Sequence, residues 1–220
     1  MHPIRNAIFA LALVPLTPLA EQAGQSSTAR LDVREWRVIK RESGPADYYR
    51  VVLDPQMPFI EGRYRPPTAT TVLGFQLGDD DRKNARALRW QWRAVTLPEK
   101  GDECARGRED SAAVVYVTWK KFLRWYTIKY VWSAVGTPGA VCDRKRNPFM
   151  AQDTVVLKSG GPLGAWQSEK IDLKSEFQHH FANGDPNADV PDLVGIGLMT
   201  DGDQTHSDSA ADYADFVLVK

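Results

Sequence analysis

The C-terminal segment of the chain carries a concentration of acidic side chains that could bind a metal ion. Residues 198–219 read LMTDGDQTHSDSAADYADFVLV, an aspartate-rich stretch that ends in an apolar run. Calcium suits such a stretch because it accepts roughly six to eight oxygen ligands in flexible geometry. The predicted ligands are four aspartates of this segment and two acids that precede a central strand: Asp201, Asp203, Asp208, Asp212, Glu109 and Asp110.

Two other uses of these aspartates stay open. The segment is not a calcium-binding helix–loop–helix, because His206 stands where that loop needs glycine and Asp212 where it needs glutamate. One alternative is a solvated turn in which Asp and Ser side chains bond to their own backbone. The other is catalysis, since glycoside hydrolysis requires a pair of carboxylates of which one has a raised pKa. No sequence signature selects such a pair, so we predict no catalytic residue.

The other reactive residue types do not form a recognisable catalytic centre. The chain has four histidines and two cysteines, and neither type recurs at the spacing of zinc ligands. The Gly-x-Ser-x-Gly motif of serine hydrolases is absent. The cluster Ser159-Gly160-Gly161-Pro162 lacks the lysine and the following helix of a phosphate-binding loop. We therefore expect binding rather than catalysis.

Aromatic residues interleaved with polar ones indicate a second kind of site. The chain has seven tryptophans, and rings flanked by Arg, Lys or Gln can stack on sugar rings and hydrogen-bond their hydroxyl groups. Seven residues are predicted to contact such a ligand: Arg89, Gln91, Arg93, Trp119, Trp125, Lys129 and Trp166.

Ten segments rich in β-branched and aromatic residues must position these side chains. Clusters of Gly, Pro and Asp, such as residues 78–81, separate them and favour turns. The predicted strands span residues 31–39, 48–53, 70–77, 88–95, 112–119, 122–132, 153–160, 166–173, 192–200 and 213–219. Helical spacing from Leu173 to Phe181 predicts one short crossover helix. We predict an all-β fold: a single-domain, two-layer antiparallel β-sandwich of jelly-roll or galactose-binding-like type over residues 30–220.

Alternation along two of these strands predicts which faces are buried. Residues 88–95 read LRWQWRAV, so the apolar side chains point to one face and the polar ones to the other. Residues 125–132 read WYTIKYVW. In this strand we predict that Tyr126, Tyr130 and Trp132 pack in the core. Trp125 and Lys129 then belong to a mixed, partly solvated face.

The N-terminal segment is typical of a secretory signal peptide. Arg5 precedes an apolar run from Ala7 to Val14, which is too short to span a bilayer. We predict a signal peptide and short linker over residues 1–29, a mature chain that starts near Arg30, and a periplasmic or secreted location. No later stretch is apolar enough to form a transmembrane segment. The net charge of zero is not that of a nucleic-acid-binding protein.

Export allows the two cysteines to form a disulfide. Residues 112–119 and 122–132 are predicted to form a hairpin with its turn near Lys120-Lys121. Cys104 and Cys142 then leave the same end of that hairpin at similar distances. We therefore predict a Cys104–Cys142 bridge.

Several motifs, in order along the chain, resemble one known family. They are LRWQWRAV, REDSAAVVYVTW, IKYVWS, VVLKSGGPLGAW and GIGLMTDGDQTHSDSAADYADFVL. Together they resemble the bacterial family of exported proteins called DUF3047, a domain of unknown function, over roughly Trp36 to Leu218. The family typically has paired acids before the central strand, here Glu109-Asp110, and a further Asp or Asn in the last motif, where this chain has Gln204. The resemblance implies the fold and export but brings no activity with it.

The expected function is that of a binding or structural module of the cell envelope. A glycan-like polymer, such as a polysaccharide, or another envelope component is the expected partner. The alternative is a glycan-active hydrolase or lyase that uses paired carboxylates. A binding module predicts an open aromatic face, whereas an enzyme predicts two acids facing each other across a cleft, one with a raised pKa. A purely structural role predicts an exposed apolar patch instead.

Overall fold

The computed structural model describes residues 27–39 and 44–220. Residues 1–26 of the predicted signal peptide and linker (1–29) lie outside them. In chain order, the strands are β1 (Thr28–Arg30), β2 (Arg37–Val38), β3 (Tyr49–Val52), β4 (Phe59–Tyr64), β5 (Leu73–Gln76), β6 (Ala87–Thr96), β7 (Ser111–Lys121), β8 (Arg124–Ser133), β9 (Val141–Arg146), β10 (Met150–Ser159), β11 (Gln167–Asp172), β12 (Asp192–Met199) and β13 (Ser209–Val219). The helices of the described residues are α1 (Asp79–Asn84) and α2 (Leu173–Phe181), and a 3-10 turn spans Val33–Glu35.

Two sheets pack face to face. Sheet I has the order β11-β6-β13-β4-β3, and β1 pairs with a further part of β13. Sheet II has the order β2-β5-β12-β7-β8-β10-β9. Its neighbouring strands are antiparallel except β8 and β10, which run parallel. The predicted all-β, two-layer sandwich with a short crossover helix is confirmed.

The core lies between the inner faces of the two sheets. Trp92 of β6 lies 5.9 Å from Trp132 of β8, measured between ring centroids, and Trp90 lies 5.9 Å from Tyr130. All four side chains are buried. Period-two alternation therefore predicted the buried faces of β6 and β8 correctly.

Helix α2 packs against one flank of this core. Its N-cap residue, Asp172, accepts a hydrogen bond from the backbone N–H of Ser175 at 2.8 Å, as capping requires. Phe177 lies 5.7 Å from the ring of Trp119 on β7. Trp119 is only 1 % exposed, so the prediction that it contacts a ligand is wrong. It alternates with Thr118 along β7 and consequently points into the core.

β4 and α1 formed where the sequence had not predicted them. β4 was missed because Gly62 interrupts its apolar alternation. Packing requires this glycine, since a Cβ atom there would lie 2.6 Å from Thr200 Oγ1. α1 forms at the aspartate cluster that favoured a turn. Three aspartates occupy its first turn, where the helix dipole favours negative charge.

Two further differences concern strand limits. β9 was not predicted, because its sequence VCDRKR is mostly charged and forms the edge of sheet II. β13 begins at Ser209 rather than at Tyr213. As a result, part of the aspartate-rich segment belongs to a strand of sheet I.

The predicted disulfide is formed. Cys104 and Cys142 are bonded, with their Cα atoms 5.4 Å apart. The hairpin register differs slightly from the prediction, since Lys121 lies opposite Arg124 and the turn falls at Phe122-Leu123. Within the described residues, no helix combines the length and hydropathy needed to cross a bilayer.

Candidate functional site

The outer face of sheet II carries a groove of about 1050 Å³. Its lining comes from the strands β5, β12, β7, β8, β10 and β9 and from the loops around residues 103–109 and 201–204. The groove therefore crosses most of the sheet. One end is aromatic and basic and the other is acidic.

Glycines on β12 open the floor of the groove. Gly195 and Gly197 face outward because Ile196 and Leu198 alternate with them and are buried. A Cβ atom at Gly197 would lie 3.2 Å from the ring of Tyr116. The missing side chain thus lets this tyrosine lie against the floor.

The aromatic end of the groove is formed by Trp125 of β8. Its side chain is 44 % exposed, and the Nζ atom of Lys120 lies 4.4 Å from its ring centroid. Beside it, the hydroxyl groups of Thr118 and Thr127 lie 3.1 Å apart. An exposed indole ring next to hydroxyl groups can stack on an apolar face of a ligand and hydrogen-bond its polar edge.

The acidic end of the groove is built from two loops. Asp201 and Asp203 follow β12 and line the groove, and the buried Asp110, which precedes β7, lies next to them. Each offers one carboxylate oxygen, and these oxygens lie within 4.8 Å of one another. The backbone supports them, since Asp110 accepts a hydrogen bond from the N–H of Thr205 at 2.6 Å. Such an oxygen cluster has the ligand type that calcium prefers.

Burial and repulsion change the protonation of this cluster. Burial, followed by the neighbouring Asp203 carboxyl, raises the pKa of Asp201 to about 8, and Lys129 opposes the shift. Burial also raises the pKa of Asp110. In the described part of the chain, the buried Oδ1 atom of Asp203 has no hydrogen-bond partner. Asp201 therefore keeps a proton near neutral pH, as a general acid would.

A buried ion pair lies under the groove. Lys129 of β8 is 8 % exposed, and Glu103 of the loop before β7 is 2 % exposed. The Nζ atom of Lys129 donates to both carboxylate oxygens of Glu103, at 2.7 and 2.8 Å. Lys129 was predicted to bind a ligand directly, but its charge is already matched by Glu103.

Other predicted ligand contacts lie on the opposite side of the molecule. Arg89, Gln91 and Arg93 belong to β6, which is in sheet I, and Trp166 lies next to Arg93. The guanidinium carbon of Arg93 is 4.6 Å from the ring centroid of Trp166. Sheet I faces away from the groove, so these residues and Trp125 do not form one site.

Three predicted metal ligands do not join the cluster. Asp212 lies on β13 with its carboxylate buried between Arg63 and Arg93, each at 2.6 Å. It was expected in the loop because β13 was predicted to begin later. Asp208 is exposed, and Glu109 accepts a hydrogen bond from the Gly107 N–H at 2.6 Å.

The groove also contains residues that were not predicted. Tyr116, Thr118, Thr127, Gly195 and Gly197 all line it. Alternation along residues 112–119 would have placed Tyr116 and Thr118 on the same outward face. The sequence has no comparable signal for Glu103, whose position depends on the loop fixed by the disulfide.

Comparisons with known proteins returned structures of low similarity. No curated protein matches the chain. A xyloglucanase domain of NopAA, a type three effector from Sinorhizobium fredii, has 13% identity, with 87% of this chain and 97% of that chain covered and a TM-score of 0.45. Endoglucanase 3 of Trichoderma harzianum, from family GH12, has 7% identity, 91% and 99% coverage and a TM-score of 0.42. The carbohydrate-binding module CBM28, specific for non-crystalline cellulose, has 9% identity, 84% coverage of both chains and a TM-score of 0.35.

The family model gives a clear assignment. It matches residues 34–217, a span that includes the groove, the aspartate cluster and every strand except β1 and the last two residues of β13. The motif resemblance seen in the sequence is thereby confirmed. The chain belongs to the family described as "Protein of unknown function (DUF3047)".

Proposed function

We propose that the groove on sheet II binds an extended polysaccharide and that the protein is a binding module of the cell envelope. The observation that carries this proposal is the exposed Trp125 beside the hydroxyl groups of Thr118 and Thr127, on a floor opened by glycines. A stacking ring with adjacent hydrogen-bonding groups is the arrangement that sugar recognition needs. The volume of the groove, about 1050 Å³, is at the upper end of the range of small-molecule pockets, roughly 300–1,000 Å³.

Replacing Trp125 by alanine should weaken polysaccharide binding about tenfold, which corresponds to ~1.4 kcal/mol. Affinity electrophoresis in gels that contain soluble β-glucan, xylan or mannan measures this loss. Arg89→Ala is the matched control, because Arg89 is exposed on the opposite sheet. The proposal is wrong if the polysaccharide in the gel still slows the migration of Trp125→Ala as it slows the wild type, whereas Arg89→Ala migrates faster.

A second candidate function is cleavage of the bound glycan. The observation in its favour is that Asp201, which lines the groove, has a pKa raised to about 8. Glycosidases separate their two carboxyl groups by about 5–9.5 Å, whereas the oxygens of the aspartate cluster lie within 4.8 Å. Binding is therefore the first proposal. Release of reducing ends by the wild-type protein, lost in Asp201→Asn, would establish cleavage, and no release by the wild type would dismiss it.

We also propose that the groove operates outside the cytoplasm, where a signal peptide would deliver it. The disulfide supports this, since such bonds persist in oxidising compartments. Protein recovered from the periplasm or the medium should therefore show no free thiol. Changing both cysteines to serine should cost about 3–4 kcal/mol of unfolding free energy on the loop-entropy model, given a separation of 38 residues. Urea titrations with and without reductant measure the loss, and a wild type that is insensitive to reductant would contradict it.

A further inference from the structure

Two neighbouring turns at one end of sheet II expose apolar side chains. Because β8 and β10 run parallel, the turns that precede them lie side by side. The backbone N–H of Trp125 accordingly donates to the carbonyl oxygen of Phe149 at 2.8 Å. Phe122 is 88% exposed, Leu123 75% and Phe149 63%. We call these three residues the apolar tip.

Phe122 adopts a backbone conformation that is unusual for a bulky residue. Its φ angle is +54°, in the left-handed region that a bulky residue adopts at a cost and that glycine adopts freely. Its exposed ring gains little from packing in the folded protein. Neither turn geometry nor core packing therefore accounts for a phenylalanine at this position.

The surroundings of the apolar tip are basic. From Lys120 to Gln152 the sequence contains a single acidic residue, Asp143. Lys129 of this span is buried against Glu103. The other basic residues of the span are Lys120, Lys121, Arg124, Arg144, Lys145 and Arg146. Lys145 and Arg146 pair with Asp143 and Asp153, whereas Lys121 and Arg144 are exposed. Six cations then face three carboxylates, those of Asp143, Asp153 and Asp192, the last of which lies opposite Lys120. The net charge around the tip is therefore positive although the whole chain is neutral.

We propose that the apolar tip docks on the surface of an anionic phospholipid bilayer. Apolar side chains surrounded by Lys and Arg are the combination that inserts at the lipid interface, with the cations attracted to acidic headgroups. Leu123 has neither a ring that could stack on a sugar nor a polar group that could bond its hydroxyls, which argues against the tip as an extension of the groove. Docking would hold Trp125, which lies beside Phe149, close to the membrane surface.

Co-sedimentation with vesicles tests this proposal on the exported protein. Vesicles of phosphatidylglycerol and phosphatidylcholine should bind the wild type at least tenfold more strongly than vesicles of phosphatidylcholine alone. The double variant Phe122→Gly, Leu123→Ser should lose at least tenfold of that binding. Leu163→Ser is the control, because Leu163 is 50% exposed in another loop, and it should bind like the wild type.

Two further measurements distinguish lost membrane binding from misfolding and from lost polysaccharide binding. The double variant should melt at or above the wild-type temperature, because glycine relieves the left-handed backbone at position 122 and Leu123 is exposed. Lost binding then cannot be attributed to misfolding. Wild-type protein that stays in the supernatant with phosphatidylglycerol vesicles would overturn the proposal. So would a double variant that binds vesicles normally but loses polysaccharide, since the tip would then belong to the groove.

Discussion

Replacing Lys129 by methionine is expected to destabilise the protein by about 3–5 kcal/mol, because it leaves a buried carboxylate without its partner. Glu103 is 2 % exposed, and both of its oxygens accept from Lys129 Nζ. Burial acts to lower the pKa of Lys129, but the Glu103 carboxylate outweighs it and the pKa is raised. The folded state thus relies on this ammonium group.

The double variant Glu103→Leu, Lys129→Met is the control for this prediction. It removes both charges and should recover most of the loss, since apolar replacements of a buried pair are often neutral. Burial already raises the pKa of Glu103, so in Lys129→Met the deficit should shrink as the pH falls and this carboxylate takes up a proton. Urea titrations at several pH values measure both effects. Equal stabilities of the single and double variants would show that the pair is not coupled.

Replacing Asp201 by asparagine is expected to stabilise the protein by about 5 kcal/mol at pH 8 and to have little effect at pH 4. The pKa of Asp201 is raised from 3.8 to about 8 in the folded state. Between these values the folded protein holds a proton that the unfolded chain releases, so the stability of the wild type falls as the pH rises. Asparagine does not titrate, so the unfolding free energy of the variant lacks this decrease with pH.

Unfolding free energies at pH 4, 6 and 8, measured in EDTA, provide the comparison. Asp208→Asn is the control, since Asp208 is exposed and outside the cluster, and it should parallel the wild type. If Asp201→Asn also parallels the wild type, the raised pKa is contradicted. If the three aspartates bind calcium, adding the ion should stabilise the wild type but not Asp201→Asn. If they do not bind it, calcium should stabilise neither protein.

Much of the fold could be predicted because alternation reports burial directly. Trp90, Trp92, Tyr130 and Trp132 followed a strict period of two, and α2 had the helical spacing of Leu173, Phe177 and Phe181. β4, β9 and α1 had no such signal, because a packing glycine, edge charges or a row of aspartates replaced the apolar pattern.

The site was predicted less completely than the fold. Asp110, Asp201 and Asp203 were among the predicted ligands, and they do meet, because loops at the same end of adjacent strands lie close together. Alternation also placed Trp125 on an outward face. It could not tell which sheet carries a groove, so Arg89 and Trp125 were assigned to one surface although they lie on opposite sheets.

Mapping the surface that a ligand contacts decides whether the groove on sheet II is the polysaccharide-binding site. Backbone amide chemical shifts should be recorded while a soluble oligosaccharide, chosen from the retarding polysaccharides, is titrated into the protein. Shifts should concentrate on the outer face of sheet II, at Thr118, Trp125, Thr127 and Gly195. Shifts that concentrate at Arg89 and Gln91, on sheet I, would contradict it.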